Sequence, residues 1–400
     1  MPFITVPSEG APVLDQNVVA NQRFKADSSP SKVNLAIGTN VAADGTPWSG
    51  ATAYPAALAA LVNGRGTACG SYTVPDPGLL AAAKNFLCEM IGLAPAVRAR
   101  TIVSWATGGG SGAVSRAIAF VRAEDRGEDN ASLIVQDDSW PGYVSVAYEN
   151  GMTLQYCPID LAAIPARGLV IAQTVHNGTG RLLDPAVWTS LGVGFASDDR
   201  VLIVDVPYAG FDFSDRPYDE ALQRSSSPVG ALVAIDAPVI VAFGPTKVFN
   251  TFAYRPGGAT LVICRSTEEA AAAEARMKRI ERGSTGFIDV ATLALVQAMA
   301  ENPEGLRRDH AAILSRLAEA TGDWRRHAAG TSLERYFGES YGGLFRIVPV
   351  KADAVERLAA QHIHVVDAST PGAARIRINT MGLPHGRAAE IVRAVAAEMR

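Results

Sequence analysis

The chain has 400 residues, 48% hydrophobic and 19% charged, with 36 Lys and Arg against 40 Asp and Glu. That composition supplies two or three packed units at roughly 150 residues each and excludes global disorder. A net charge of −4 speaks against a nucleic-acid-coating surface, and no apolar run approaches the ~18 residues that cross a bilayer.

The opening MPFITVPSEGAPVLDQ has no basic stretch followed by an apolar one, so no signal peptide is expected. Cys69, Cys88, Cys157 and Cys264 lie far apart, without CxxC or zinc-finger spacing. They read as small apolar fillers in a reduced, cytoplasmic chain, and no metal site is expected. A β-branched run at 101–104 leads into the glycine-rich TGGGSG of 107–112 and a helical stretch through 121. Further strand candidates follow at 132–136, 153–157, 169–173, 201–206, 239–243 and 259–264, with helical segments such as 185–191 between them. Most are unbroken apolar runs, as in a mainly parallel sheet covered by helices on both faces. A doubly wound α/β core is therefore expected over 48–305. The last quarter changes character. Helical patterns at 268–282 and 304–320 precede a strand at 344–350, a helix at 352–360, a strand at 374–379 and a closing helix at 387–399. This makes a smaller α+β unit over 306–400. The alanine run 270–273 is expected on a solvated helix face.

Several residues stand where chemistry is done. The run Gly108, Gly109, Gly110, Ser111, Gly112 lies between a strand and a helix, where free N–H groups and the helix dipole attract an anion; an ordinary flexible turn has the same composition. In VLIVDVPYAGF, Asp205 ends an apolar strand and Tyr208 follows three residues on. A carboxylate there faces the ligand crevice of an open α/β sheet, or caps the next helix. In PVIVAFGPTKVFNTFAYRPGG, Lys247 follows a core strand and Arg255 comes eight residues later. A desolvated Lys is nucleophilic and an Arg fork grips phosphate or carboxylate; both side chains also snorkel without function. Asn177 in a turn can donate to a ring oxygen or a neighbouring carbonyl, and Trp140 on a post-strand loop can stack on a flat ligand or simply pack. Arg377, on a strand among apolar residues, needs an anionic partner.

Taken in order, these are the groups that pyridoxal phosphate demands: an amine, a carboxylate for the ring nitrogen, donors for the phenolic oxygen, and a cradle with an Arg for the phosphate. With SYTVPDPGL, RARTIVSWATGGGSGA, DDSWPGYVSVAYENGM, HNGTG, DVPYAGF, KVFNTFAYRPG and RIRINTMGL in series, the chain resembles the class I aminotransferases of fold type I, closest the aspartate/aromatic subgroup. The resemblance implies a large domain with a mainly parallel sheet at 48–305 and a smaller α+β domain from both chain ends, comprising 1–47 and 306–400. It implies a homodimer that moves an amino group between an L-amino acid, dicarboxylic or aromatic, and a 2-oxo acid by a ping-pong route. Lys247 would carry the cofactor as a Schiff base and shuttle the proton, Asp205 would pair with the ring nitrogen, and Tyr208 and Asn177 with the phenolic oxygen. Trp140 would stack on the ring, while Gly110, Ser111, Arg255 and the other subunit's Tyr72 would hold the phosphate. Arg377 would clamp the substrate carboxylate near Gly38, and Arg282 would read a side-chain carboxylate across the dimer. Four departures stand out: Gly244 for a phosphate-binding Ser ahead of Pro245, Thr246 and Lys247; Gly178 for a Pro after Asn177; Phe252 for a Tyr; and Tyr143 where some members have the His behind the ring-nitrogen Asp. They leave open another pyridoxal-phosphate reaction (decarboxylation, elimination or oxidation), and a non-catalytic ligand-binding protein keeping the fold is a further alternative.

Overall fold

The computed structural model describes residues 16–65, 74–123, 131–198 and 200–400. The strands are β1 (Val33–Asn34), β2 (Thr101–Ala106), β3 (Ser132–Gln136), β4 (Thr153–Cys157), β5 (Leu169–Gln173), β6 (Leu202–Val206), β7 (Val239–Phe243) and β8 (Gly258–Ile263). They are followed by β9 (Phe345–Pro349), β10 (Ile363–His364), β11 (Val366–Asp367) and β12 (Arg375–Asn379). Seven of them form one sheet in the order β2-β8-β7-β6-β5-β3-β4. From β7 to β4 the neighbours are parallel, whereas β8 runs antiparallel to both β7 and β2.

Every residue of β5, β6 and β7 is buried, which is why these strands read as unbroken apolar runs. Alternate side chains go to opposite faces. On β6, Leu202 and Val204 join a cluster with Phe86, Trp188 and Leu232, while Ile203 joins Val114, Ile118 and Met277 on the other side. The helix Thr267–Ser284 is started by the Ser266 side chain, which accepts the Glu269 N–H at 3.1 Å. Its alanine run is not the solvated face that composition suggested: Ala270 and Ala273 are buried in the Met277 cluster, and only the two residues between them are exposed. Small side chains let this helix lie close to the sheet, a packing role that helix propensity does not reveal.

The second layer system holds β11-β12-β9, all antiparallel, beside a parallel β1–β10 pair. Val33 and Leu35 from the N-terminal part share a core with Trp324, Ile376, Ile378 and Val395. The helix Pro303–Ala328 links the two cores, with Leu306 in one and Trp324 in the other. It runs eight residues beyond the expected 320 because Thr321, Asp323, Trp324 and Ala328 are buried along it, so packing outweighs the helix-weakening Gly322. Asp309 on this helix accepts the N–H groups of Thr52 and Ala53 at 2.7 Å each. It thereby caps the helix Ala53–Arg65 from a distance and fixes the segment that enters the site.

Candidate active site

The carboxyl ends of β5, β6 and β7 meet the start of the helix Gly109–Arg122 at a cavity of about 330 Å³. Its walls include Gly38, Gly110, Ser111, Trp140, Asn177, Asp205, Lys247 and Arg255, together with Gln173, Thr246 and Phe252. The position is the one an open parallel sheet offers to ligands, outside the strand ends.

Asp205 is buried near the end of β6. Burial pushes its pKa up, opposed by hydrogen bonds from Tyr143 and Gln173 and by the Lys247 charge. Tyr143 Oη donates to Oδ2 at 2.5 Å and Gln173 Nε2 to the same oxygen at 3.2 Å. Gln173 is in turn fixed: its N–H donates to Gln136 Oε1 at 3.0 Å, and its own Oε1 accepts the Asn177 N–H at 2.9 Å. Asn177 Nδ2 donates to Tyr208 Oη at 2.8 Å. Two strand-end glutamines thus lock the acid, the amide and the phenol into one buried network. Sequence reasoning did not single out Gln136 or Gln173. The signal was present, since each closes an otherwise apolar strand and a buried carboxamide must find partners.

Lys247 sits in the one-turn helix Pro245–Val248 directly after β7. Its amine lies 4.9 Å from the Tyr208 ring centroid. Burial, aided by the Arg377 charge and opposed by Asp205, lowers its pKa from 10.5 to about 8. Asn40 ties this turn down, donating from Nδ2 to the Lys247 carbonyl at 3.0 Å and to Asn250 Oδ1 at 3.1 Å. Asn40 comes from the N-terminal segment and was not foreseen.

At the other end of the cavity, Gly108 takes the left-handed conformation with φ 83°. A Cβ on Gly112 would lie 1.7 Å from the Thr107 carbonyl oxygen, so the turn from strand to helix closes only with glycine there. The N–H groups of the first helical turn have no helical partners, and Ser111 and Arg255 face the same space. Thr246 Oγ1 stands 3.0 Å from the point a Cβ on Gly109 would occupy, so a hydroxyl borders the cradle although residue 244 has none.

Arg377 on β12 lies beside the cavity, not in its lining. Its guanidinium rests 4.2 Å from the Phe345 ring centroid and donates to Asn17 Oδ1 on the helix Gln16–Ala26. Gly38 packs against the same ring, a Cβ there falling 3.1 Å from Phe345 Cζ. Arg282 is exposed on the last turn of its helix, with its guanidinium 5.7 Å from the Phe287 ring centroid, and among the described residues it joins none of the other site residues. Tyr72 lies outside the described residues.

The family model described as aminotransferase class I and II matches residues 30–395. A tyrosine aminotransferase of Rhizobium meliloti is 25% identical over 394 residues, covering 92% of this chain and 93% of the relative. An aspartate aminotransferase of Pseudomonas aeruginosa is 24% identical over 365 residues, covering 85% and 87%. Among solved structures, an aromatic-amino-acid aminotransferase of Burkholderia pseudomallei covalently bound to pyridoxal phosphate superimposes with a TM-score of 0.81 at 24% identity, covering 98% of this chain and 99% of that one. A cytoplasmic aspartate aminotransferase of Giardia lamblia gives a TM-score of 0.77 at 17% identity, covering 98% of both chains. The shared architecture is fold type I.

Proposed function

Because the chain belongs to the class I and II aminotransferase family, we propose that its cavity is the catalytic centre, with Lys247 as covalent anchor and proton carrier. The protein is a pyridoxal-phosphate-dependent transferase of amino groups between amino acids and 2-oxo acids. The cavity residues fit that cofactor: a carboxylate held by two donors for a ring nitrogen, an amide–phenol pair for a phenolic oxygen, and a glycine turn for a phosphate. When bound, the cofactor supplies a ring that accepts the electrons left as the substrate Cα–H bond breaks.

The chain's own groups do the rest. Arg377 takes the substrate carboxylate in its planar fork. Asp205 binds the ring nitrogen, held in orientation by Tyr143 and Gln173, and Asn177 and Tyr208 hold the phenolic oxygen. Trp140 covers the ring face and excludes water. Gly110, Ser111 and Arg255 grip the phosphate. Lys247 would take up the substrate Cα proton and carry it across the reacting nitrogen, a task suited to an amine whose pKa is lowered to about 8. The two substrates take turns in one cavity, the ping-pong order.

The observation that carries this reading is Lys247 itself, an amine at the end of a core strand facing the buried Asp205–Tyr208–Asn177 network. Trp140 and Phe252 in the wall favour an aromatic substrate side chain. A dicarboxylate requires a cation from elsewhere; Arg282 is such a cation only if a second copy brings it in, so the homodimer belongs to the same reading, as does Tyr72 at the phosphate. The domain division at 1–47, 48–305 and 306–400 is supported by the separate cores on either side of the helix Pro303–Ala328. A cytoplasmic setting agrees with Cys88, Cys157 and Cys264, which are free and buried. The test is a half-reaction screen: holoenzyme is mixed with single amino acids, without oxo acid, and cofactor absorbance is followed. One turnover per site, abolished in Lys247→Ala, is expected; continuous product formation or full activity in Lys247→Ala would refute it.

A further inference from the structure

Arg375 opens β12 two residues before Arg377, and side chains two apart on a strand share a face. Its guanidinium makes a two-pronged bond to Asp138, Nη1 to Oδ2 at 2.6 Å and Nη2 to Oδ1 at 2.9 Å, while Nε donates to the Ala368 carbonyl at 3.1 Å. Both partners are largely shielded, the side chains being 20% and 25% exposed, so the pair is stronger than an open surface bridge.

Asp138 lies two residues before Trp140 in the loop after β3 and adopts φ 56°, a left-handed conformation that costs a non-glycine residue. Its carbonyl presses onto the neighbour of the ring-binding amide: a Cβ on Gly178 would fall 1.9 Å from Asp138 O, and 3.0 Å from Ile347 Cδ1 of β9 on the other side. Proline also carries a Cβ. The glycine after Asn177, a departure from the family resemblance, is therefore what admits Asp138 to this place.

We propose that Arg375 and Asp138 are positioning residues for the transamination site: their ion pair, seated against Gly178, sets the Trp140 loop and the Arg377 strand at the separation that fits a substrate carboxylate. The inference rests on the function proposed above. One end of the pair is fixed to the strand that carries Arg377, the other to the loop that carries Trp140, and at the loop end the Asp138 carbonyl abuts Gly178 in the turn that carries Asn177. Three substrate-facing or ring-facing groups thus share one support. Neither Arg375 nor Asp138 lines the cavity itself.

The test uses holoenzyme of the wild type, Arg375→Gln, Asp138→Asn and the double variant. The readouts are KM and kcat, the Kd of 3-phenylpropanoate as an unreactive carboxylate probe, visible circular dichroism of the bound cofactor, and thermal midpoint. Each single variant is expected to weaken the probe and raise KM for both substrates by about tenfold, with kcat within about twofold. The cofactor dichroism should change with them, and the double variant should be no worse than either single. Gly178→Ala, if it folds, should reproduce the same pattern by displacing Asp138. A lowered thermal midpoint with unchanged probe Kd and unchanged dichroism would show a merely structural bridge and overturn the proposal. Additive losses in the double variant would also overturn it. Failure of the wild type to bind pyridoxal phosphate would instead remove the functional reading, so the two failures are distinguishable.

Discussion

Tyr143 donates its phenol hydrogen to Asp205 at 2.5 Å, at the β6 end of the cavity, and both side chains are buried. Burial and the adjacent carboxylate raise the Tyr143 pKa well above the ordinary phenol value. A histidine at this place could change charge in the working pH range; Tyr143 stays a neutral donor throughout. It therefore stabilises the Asp205 carboxylate against the cost of burial without taking its proton.

Tyr143→Phe deletes that donor and leaves Gln173 as the remaining one seen on Oδ2. A hydrogen bond to a charged group contributes about 1.5–3 kcal/mol. The Asp205 pKa should rise further, the ring nitrogen should be held less firmly, and cofactor Kd should increase by about tenfold or more with a fall in kcat. Spectral titration of the apoenzyme measures this. An unchanged Kd and pH profile would mean that Gln173 alone suffices.

Lys247 gives two linked pH effects in the apoenzyme. Only the free amine attacks the cofactor aldehyde, so the rate of cofactor capture should climb with pH and level off above about pH 8. The folded-state pKa is below the unfolded value of 10.5, so between about 8 and 10.5 the unfolded chain binds more protons and stability rises with pH. The ceiling is about 3 kcal/mol, lowered by water reaching the cavity. Lys247→Met should abolish capture and flatten that stability slope. Stopped-flow capture and urea unfolding at several pH values test both, and a capture rate constant from pH 7 to 10 would contradict the assignment.

Beside the glycine turn, Gly244 brings no hydroxyl and Thr246 brings one. A Cβ on Gly244 would lie 3.4 Å from Gly110 Cα, ordinary contact, so Gly244→Ser should fold. It adds a hydroxyl beside the cradle and should tighten pyridoxal phosphate by several-fold, roughly the 0.5–1.5 kcal/mol of one hydrogen bond. Thr246→Ala should weaken it by a similar factor, and the serine should offset that loss in the double variant. Phosphate-dependent affinity, compared with pyridoxal lacking the phosphate, separates this from a general packing effect.

Replacing Arg282 tests the choice between substrate classes. Arg282→Ala should lower kcat/KM for dicarboxylic amino acids by more than about tenfold while leaving aromatic ones within about twofold. Equal effects on both classes would place Arg282 outside substrate recognition, consistent with its exposed position in the single chain.

Much of the fold was legible because its signals are local. Strands β3, β4, β5 and β7 occupy the residues expected from their apolar runs, and β2, β6 and β8 differ by one or two residues at an end. The stretch before β2 was less readable. The helices Gln16–Ala26 and Ala53–Arg65 lack a strong apolar stripe, whereas Pro77–Met90 carries a local start signal, the Asp76 cap ahead of Pro77, that was passed over. For Ala53–Arg65 the cap is Asp309, more than 250 positions away. The antiparallel setting of β8 was likewise invisible, since strand composition carries little information about direction.

The candidate site divides in the same way. Asp205, Lys247, Asn177 and Arg255 stand at strand ends or turns, where residue type and position already suggest chemistry, and the structure brings them to one cavity. Gln136, Gln173, Asn40 and Asn17 did not stand out, because an amide side chain has no distinctive spacing and its meaning lies in the partner it finds.

From the order of residues alone came the alternation of strands and helices, the reactive amine with its acid, and the glycine turn for an anion. These follow from periodicity and from side-chain chemistry, which act over a few neighbouring positions. Only the folded chain decided that Gln136 and Gln173 brace Asp205, that Arg377 rests on Phe345 and meets Asn17, and that Asp138 is wedged between Arg375 and Gly178. Buried polar groups must be satisfied by whatever the topology carries to them, and contacts across 32 to 360 positions are set by chain path and close packing.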